Sequence, residues 1–358
     1  MNATRLKAVL DRLEKKGLSQ IMISDPYSIF YLTGRFIDPG ERFYALFLDR
    51  NGACRIFINN LFTVPEDLGA EKIRFDDTDD AVALFCQYTD SGKKLGIDKN
   101  LPARFLLPMM ERHAAAGYED ASDCVDAARS EKDADERAKM REASRLNDLG
   151  MQNFLELVHP GATEIEIAMQ MDAVYRSLGS DGNSFEPLVG FGANAAAGHH
   201  APDGTVLKEG DCILFDVGCK KDGYCADMTR TFFYRTVSDR QRAVYDIVRR
   251  ANETAEAAVR PGVRFCDIDR AARDVIEQAE FGPNFTHRLG HSIGIEVHEP
   301  GDVSSAHTDA VRPGMTFSIE PGIYLEGEFG VRIEDLVLVT ETGCEVLNHF
   351  PKDLRVIG

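Results

Sequence analysis

A chain of 358 residues is long enough for one large domain or two ordinary ones, each with a core of its own. It carries 41 Lys and Arg against 59 Asp and Glu, a formal charge of −18, which leaves no basic stripe for a nucleic-acid backbone. With 44% hydrophobic and 28% charged residues it is globular in composition, and no apolar run approaches the roughly 18–20 residues of a spanning helix, so a disordered chain and a helical membrane protein are both excluded.

The N-terminus leads directly into an amphipathic pattern with no apolar region of a signal peptide, so a cytoplasmic protein is expected. Residues 4–16 place Leu6, Val9, Leu10 and Leu13 on one helical face. Ile21-Met22-Ile23 reads as a short buried strand closed by Asp25-Pro26. Phe43 to Leu48 is strand-like and ends at the turn Asp49-Arg50-Asn51-Gly52, with Cys54 to Ile58 as its hairpin partner. Lys94 to Asp98 suggests a further strand. No catalytic constellation falls in this stretch; Asp76, Asp77, Asp79 and Asp80 read as a solvated acidic loop. Ser130 to Glu136 is charged and lacks any strong apolar residue, which places a domain boundary near 130 and predicts an α/β domain over 1–129 followed by a second domain over 130–358. The eight cysteines form no C-x-x-C pair. A Cys219–Cys225 disulfide across a turn is conceivable, but buried free thiols are the simpler expectation.

The second domain contains a weak internal repeat. A helical run to about 158 is followed by His159-Pro160-Gly161 and a second helix signal over 163–178. A helical run over 238–259 is followed by Arg260-Pro261-Gly262 and another helix signal ending near 280. Gly210 stands six residues before Asp216 and Gly218 two after it; Gly314 and Gly322 frame Glu320 in the same way. Two such halves predict a pseudo-symmetric domain with its site between them.

The acids of these halves sit in apolar surroundings. The Lys221-Asp222-Gly223-Tyr224 turn puts Asp216 opposite Thr229 and Asp227 diagonally across on the same face. A buried unpaired aspartate costs several kcal/mol (an order-of-magnitude figure), so either one acid reaches solvent, one is protonated, or a cation lies between them. The second half poses the same problem with Glu320, placed at a strand end by Pro321, and with Glu334, read inside a strand-like run before Leu336-Val337-Leu338-Val339. The stretch from His287 to Glu299 adds His287, His291 and His298. Four carboxylates and an imidazole, with no thiolate, suit two divalent ions such as Mn²⁺, Co²⁺, Fe²⁺ or Zn²⁺ and metal-assisted hydrolysis.

These residues resemble, in order and spacing, the proline-specific pita-bread metallopeptidases: Xaa-Pro aminopeptidases and Xaa-Pro dipeptidases (prolidases). The resemblance spans essentially the whole chain and is most specific over 199–335. His287 to Glu299 is similar to the signature H-x-L-G-H-x-[IV]-G-x-x-V-H-[DE]; D-V-G at Asp216, D-x-T-R at Asp227, I-E-P-G-I-Y at Glu320 and V-R-I-E-D at Glu334 match as well, and Tyr31-Leu32-Thr33-Gly34 resembles the noncatalytic first domain. The resemblance implies an α/β protein with a small first domain and a pita-bread catalytic domain. It implies two divalent ions, Mn or Co favoured: Asp216 on one, His291 and Glu320 on the other, Asp227 and Glu334 bridging. It implies His298 as donor to the scissile carbonyl or oxyanion, Glu320 as proton acceptor for the attacking water, His199 near the substrate, His287 lining the leaving-group side, and Arg332 and Thr229 orienting the bridging carboxylates. It further implies Xaa-Pro peptides as substrate and a homodimer.

Two positions depart from the pattern. Many relatives have Pro before the His199 position; here it is Gly198 in the run Ala195-Ala196-Ala197-Gly198, and His200 follows, so either histidine could take the role. Some prolidases carry Arg four residues after the His298 position; here it is Asp302, which favours an aminopeptidase, with the dipeptidase as the alternative. A tertiary amide with a cis/trans mixture needs a dedicated pocket. Tyr31, Phe36, Phe43 and Tyr44 are candidates for it if a partner subunit reaches over, and ordinary core if not. A methionine aminopeptidase lacks a first domain of this size. Creatine-type amidinohydrolases and non-enzymatic binding proteins of this scaffold lack the five ligands kept here.

Overall fold

The structure is a computed structural model describing residues 1–358, and the chain divides into two compact units, Met1–Arg129 and Ser130–Gly358.

The first unit alternates helices and strands: α1 (Ala3–Lys15), β1 (Gln20–Ile23), α2 (Pro26–Thr33), β2 (Ala45–Asp49), β3 (Cys54–Asn59), β4 (Glu71–Phe75), α3 (Ala81–Cys86), β5 (Lys94–Ile97), α4 (Ala103–Glu111), β6 (Gly117–Asp120) and α5 (Ser122–Ser130). The helices start where the sequence supplies caps. Asn2 accepts from the first amides of α1, and Asp25 does so for α2, which has Pro26 at its first position. The strands form one mixed sheet in the order β4-β3-β2-β1-β5-β6. Its core is aromatic: Phe43, Phe47, Phe57, Phe75 and Phe85 pack together, with the Phe57 and Phe85 rings 4.9 Å apart. Tyr31, Phe43 and Tyr44 are buried, whereas Phe36 is 44% exposed, its ring against those of Tyr27 and Phe30. The acidic loop is exposed; Asp80 caps α3 and Asp77 receives Arg42.

The second unit begins with α6 (Ala134–Phe154) and α7 (Glu164–Ser177), then β7 (Gly182–Asn183), β8 (Leu188–Phe191), β9 (Cys212–Val217), β10 (Cys219–Lys221), β11 (Tyr224–Cys225) and β12 (Met228–Tyr234). The second helix pair is α8 (Asp239–Ala258) and α9 (Phe265–Gln278). After it come β13 (Gly290–Ser292), β14 (Glu299–Val303), β15 (Thr316–Ile319), β16 (Gly322–Leu325), β17 (Phe329–Arg332), β18 (Asp335–Val339), β19 (Cys344–Val346) and β20 (Val356–Ile357). Asp133/Glu136, Thr163/Glu166 and Ser238/Gln241 form capping boxes that start α6, α7 and α8. The charged run at 130–136 is therefore not a solvated linker: Glu136 and Lys132 are 2% and 3% exposed.

Each helix pair covers its own sheet. Leu146, Phe154, Met171 and Tyr175 pack against Phe215 and Phe232 of the sheet β20-β12-β9-β8. Val244, Val248, Ile268 and Ile276 pack with Phe317 and Val337 of the sheet β14-β13-β15-β18-β19. Each such buried side chain contributes roughly 1.5–3 kcal/mol relative to exposure. Thr229 lies opposite Asp216 in the β9–β12 ladder. The halves join where the Glu334 amide donates to the Thr229 carbonyl (3.1 Å) and the Thr231 hydroxyl donates to the Arg332 carbonyl (3.0 Å). Glu334 occupies the break between β17 and β18 rather than a strand interior, so its side chain escapes the alternation of either strand. All eight cysteines are free thiols, Cys219 and Cys225 included.

Candidate metal centre

Both histidine- and acid-bearing clusters able to surround a cation lie in the second unit. One consists of Asp227, His291 and Glu334, all buried, with one potential ligand atom from each lying within 4.8 Å of the others. Asp227 comes from the end of the β11–β12 connection, His291 from β13 and Glu334 from the β17–β18 break, so both halves contribute. Glu320, just past β15, brings Oε1 to 3.7 Å from His291 Nε2, and Asp227 Oδ2 lies 3.6 Å from the same nitrogen. Asp216 joins from β9. The five candidate ligands therefore occupy one region, though Asp216 stands slightly apart from the tight triad.

Local chemistry explains how these side chains are held. His291 Nδ1 faces the Ser292 carbonyl at 3.3 Å, which assigns the ring proton to that side and leaves the Nε2 lone pair toward the carboxylates. The His291 amide donates to Ser318 Oγ, whose hydroxyl in turn donates to Glu320 Oε1 at 3.2 Å. Gly290 is required here because a Cβ at that position would come within 1.9 Å of the Ser318 carbonyl oxygen. Gly218 plays the same part beside Asp216, where a Cβ would meet the Ala226 carbonyl at 2.1 Å. Thr229 donates to Glu334 Oε2 at 2.6 Å.

Arg332 departs from its expected place. Its Nη2 donates to Asp216 Oδ2 at 2.5 Å and its Nε to Thr229 Oγ1 at 3.0 Å, so it meets a bridging candidate only through Thr229. The reason is register: Arg332 ends β17 facing β9, while Glu334 lies beyond the strand break.

The electrostatics are those of too many acids in too little water. Burial, then Glu334 and Asp216, pushes Asp227 well above the usual carboxylate range; burial, then Glu320 and Asp216, does the same to Glu334. Burial raises Glu320 to about 7 and lowers His291 to about 3. Asp216 Oδ1 and Asp227 Oδ1 are buried with no hydrogen-bond partner. A carboxylate cluster with two orphaned oxygens, a free imidazole nitrogen and one buried guanidinium fits hard or borderline divalent cations, which would supply the missing positive charge.

Three further histidines surround this region. The His298 ring packs edge-on against His291 with centroids 4.2 Å apart, and its own face is open. His287 Nε2 lies 2.9 Å from the Tyr324 hydroxyl, which accepts from Arg332 Nη1 at 3.0 Å; the Tyr324 proton then points to His287, whose Nδ1 donates to the Arg288 carbonyl. Burial, with Arg332 second, depresses His287 to about 4. His199 is exposed and is an electrostatic neighbour of both His287 and His298. His200 instead bonds Glu164 at 2.6 Å, which leaves His199 as the histidine facing this region.

Several residues here carry no separate expectation from the sequence. Tyr324 lies in the I-E-P-G-I-Y motif at even spacing from Glu320, a signal that could have exposed it. Lys132 gives no such signal: it is reached only through the fold, where its Nζ meets Glu299 Oε2 at 2.9 Å, both side chains buried. In the first unit a cavity of about 610 Å³ is lined by Arg42, Asn59, Asp77 and Phe105 among others.

Comparison with known proteins agrees with the geometry. The model of metallopeptidase family M24 matches residues 138–341, and that of the creatinase/prolidase N-terminal domain matches residues 5–130. A putative dipeptidase, YkvY, of Bacillus subtilis is 34% identical over 99% of both chains. Among solved structures, a dipeptidase from Pyrococcus horikoshii is similar with a TM-score of 0.93 at 32% identity, covering 99% of this chain and all of that one. A prolidase from Thermococcus sibiricus superposes with a TM-score of 0.93 at 31% identity over the full length of both. An X-Pro aminopeptidase from Thermotoga maritima follows with 0.85 at 28% identity, covering 97% of this chain and all of that one. The chain belongs to metallopeptidase family M24, with a creatinase/prolidase N-terminal domain ahead of a pita-bread catalytic domain.

Proposed function

We propose that this metallopeptidase is an Xaa-Pro dipeptidase that holds two divalent ions, Mn or Co preferred, and acts on short peptides with proline after the scissile bond. The observation that carries this reading is the buried group Asp216, Asp227, His291, Glu320 and Glu334, with two orphaned carboxylate oxygens, in a chain similar over its full length to a putative dipeptidase and to a prolidase. Asp227 and Glu334 would bridge the ions, Asp216 would serve one, and His291 with Glu320 the other. The ions, when bound, supply the Lewis acidity that makes water a nucleophile and polarises the scissile carbonyl.

The remaining work belongs to the chain. Glu320, its Oε1 held by the Ser318 hydroxyl beside His291 Nε2, is placed to take a proton from the attacking water and pass it to the leaving nitrogen. His298, packed on His291 with an open face, is placed to donate to the oxygen that gains charge in the transition state. Arg332 holds Asp216 by direct contact, and Thr229 holds Glu334. The Tyr324–His287 pair makes a fixed polar wall on the leaving-group side, and His199 faces the substrate from the opposite loop. The first unit is noncatalytic in this reading, the protein works as a homodimer, and its place is the cytoplasm; no helix is long and apolar enough to cross a membrane.

Asp302 supports a second reading, an Xaa-Pro aminopeptidase. It lies opposite His291 in the β13–β14 pair, next to His307, and so offers no cation at that position for a dipeptide's terminal carboxylate. Mn- and Co-loaded protein assayed on an Xaa-Pro dipeptide and an Xaa-Pro-Yaa tripeptide separates the two. Cleavage confined to the dipeptide is expected, hydrolysis of the tripeptide establishes the aminopeptidase, and turnover of neither removes both.

A further inference from the structure

Glu164, the first residue of α7, is fully buried and accepts four hydrogen bonds. Its Oε1 takes the Phe191 amide at 2.7 Å and Asn194 Nδ2 at 3.0 Å; its Oε2 takes His200 Nε2 at 2.6 Å and the Asp203 amide at 3.2 Å. All four donors come from the segment 191–203, two from before His199 and two from after it. Glu164, His200 and Asp203 could also be read as a small cation site, but each Glu164 oxygen already has two donors, so no lone carboxylate waits for an ion. Ala195 and Ala196 end a 3-10 turn over Gly192–Ala196, and beyond it Ala197-Gly198 has no proline and no large side chain to stiffen it. On its inner edge Ala195 lies against Gly330, where a Cβ would come within 2.0 Å of the Ala195 carbonyl, and the Gly198 carbonyl lies 3.5 Å from Arg332 Nη1.

We infer that Glu164 and His200 form a peg that positions His199 against substrate, doing for this loop what a rigid residue before His199 would otherwise do. His200 thereby acts through His199 and touches no reacting atom. The inference rests on the Xaa-Pro reading for its catalytic consequence, and on the hydrogen bonds alone for the peg itself.

Two measurements on full-length, metal-loaded protein decide it. Amide hydrogen exchange of His200→Ala should speed up over 192–203 and stay unchanged in β9 and β13; unaltered exchange in 192–203 overturns the peg whatever the enzyme cleaves. In steady-state assays with an Xaa-Pro dipeptide, His200→Ala should lower kcat/KM by roughly 10–100-fold at unchanged metal content, the scale for slight misplacement of a substrate contact. His200→Gln, which keeps a donor toward Glu164, should recover most of that loss. The deciding comparison is a double-mutant cycle: added to His199→Ala, the His200→Ala change should cost almost nothing further. An equal fold-loss with and without His199 makes His200 merely structural and overturns the positioning role. A parent enzyme inactive on every Xaa-Pro peptide would instead remove the substrate reading, while the exchange result still judges the peg.

Discussion

Glu334 and Asp335 are neighbours in the chain, yet their carboxylates enter two different buried clusters. Asp335, at the start of β18, meets Arg230 Nη2 at 2.7 Å and Lys352 Nζ at 2.7 Å, and Lys352 also binds Glu256 at 2.6 Å. Arg230 further donates to the Glu334 and Phe350 carbonyls. That cluster balances two acids with two cations. Glu334 turns the other way, into three acidic neighbours, Asp216, Asp227 and Glu320, and a single guanidinium, with two oxygens of the group left unbonded. A protein that needs only stability pairs its buried charges; the imbalance on the Glu334 side makes sense where cations from outside complete the set. Asp335 and Arg230 thus form a framework beneath a site that is negative by design of its ligands.

The largest effect that would test this contrast is Asp227→Asn. Metal content and peptidase activity should fall together, activity by well over 10²-fold, while the metal-free variant melts no lower than the metal-free parent, because burial and the neighbouring acids already oppose a charge at that position. Retained activity, or a marked loss of metal-free stability, would break the contrast. Next in size, His298→Ala should spare the metals and reduce turnover by roughly 10²–10³, as expected for one oxyanion donor; loss of metal would put His298 among the ligands instead. On the framework side, Asp335→Asn should cost about 3–5 kcal/mol in denaturant unfolding because the buried Arg230 is left without its acid partner, while Lys352 keeps Glu256. A cost under about 1 kcal/mol would remove the framework role. Adding Mn²⁺ at about a hundred times its dissociation constant should stabilise the chelated protein by about 2.7 kcal/mol for each ion bound, and the Asp227→Asn variant by far less, as read by calorimetry.

The smallest effect concerns pH. Burial, with Asp335 second, raises Glu256 to about 7 in the folded chain, above the ordinary 4.5. A raised folded value means the contribution is fully present below about 4.5 and is lost as pH climbs through about 7. Glu256→Gln should therefore flatten the stability profile across that window; an identical slope in parent and variant would place the titration elsewhere.

Much of this was readable in the chain. The doubled helix-Pro-Gly-helix pattern, the Asp216–Thr229 register and the spacing of the acids follow from local periodicity and turn chemistry, which are written in consecutive residues. The break that frees Glu334 was not readable, since Val331 to Val339 is continuously apolar apart from its charged residues and nothing local ends the strand there. Nor was the choice between His199 and His200, adjacent residues of one type in a run of small ones. The leaning toward an aminopeptidase came from a single position, Asp302, whereas the full-length similarity to dipeptidases draws on the whole chain.

By itself the amino-acid order determined the elements, the repeat and the family, because each depends on short-range pattern or on motifs kept in sequence. Only the tertiary structure decided that Arg332 holds Asp216, that Lys132 is buried under Glu299, and that Glu164 gathers the His199 loop. Those pairs join residues more than thirty positions apart, and a charged side chain far from its partner in sequence reads as solvated until the fold removes the water around it.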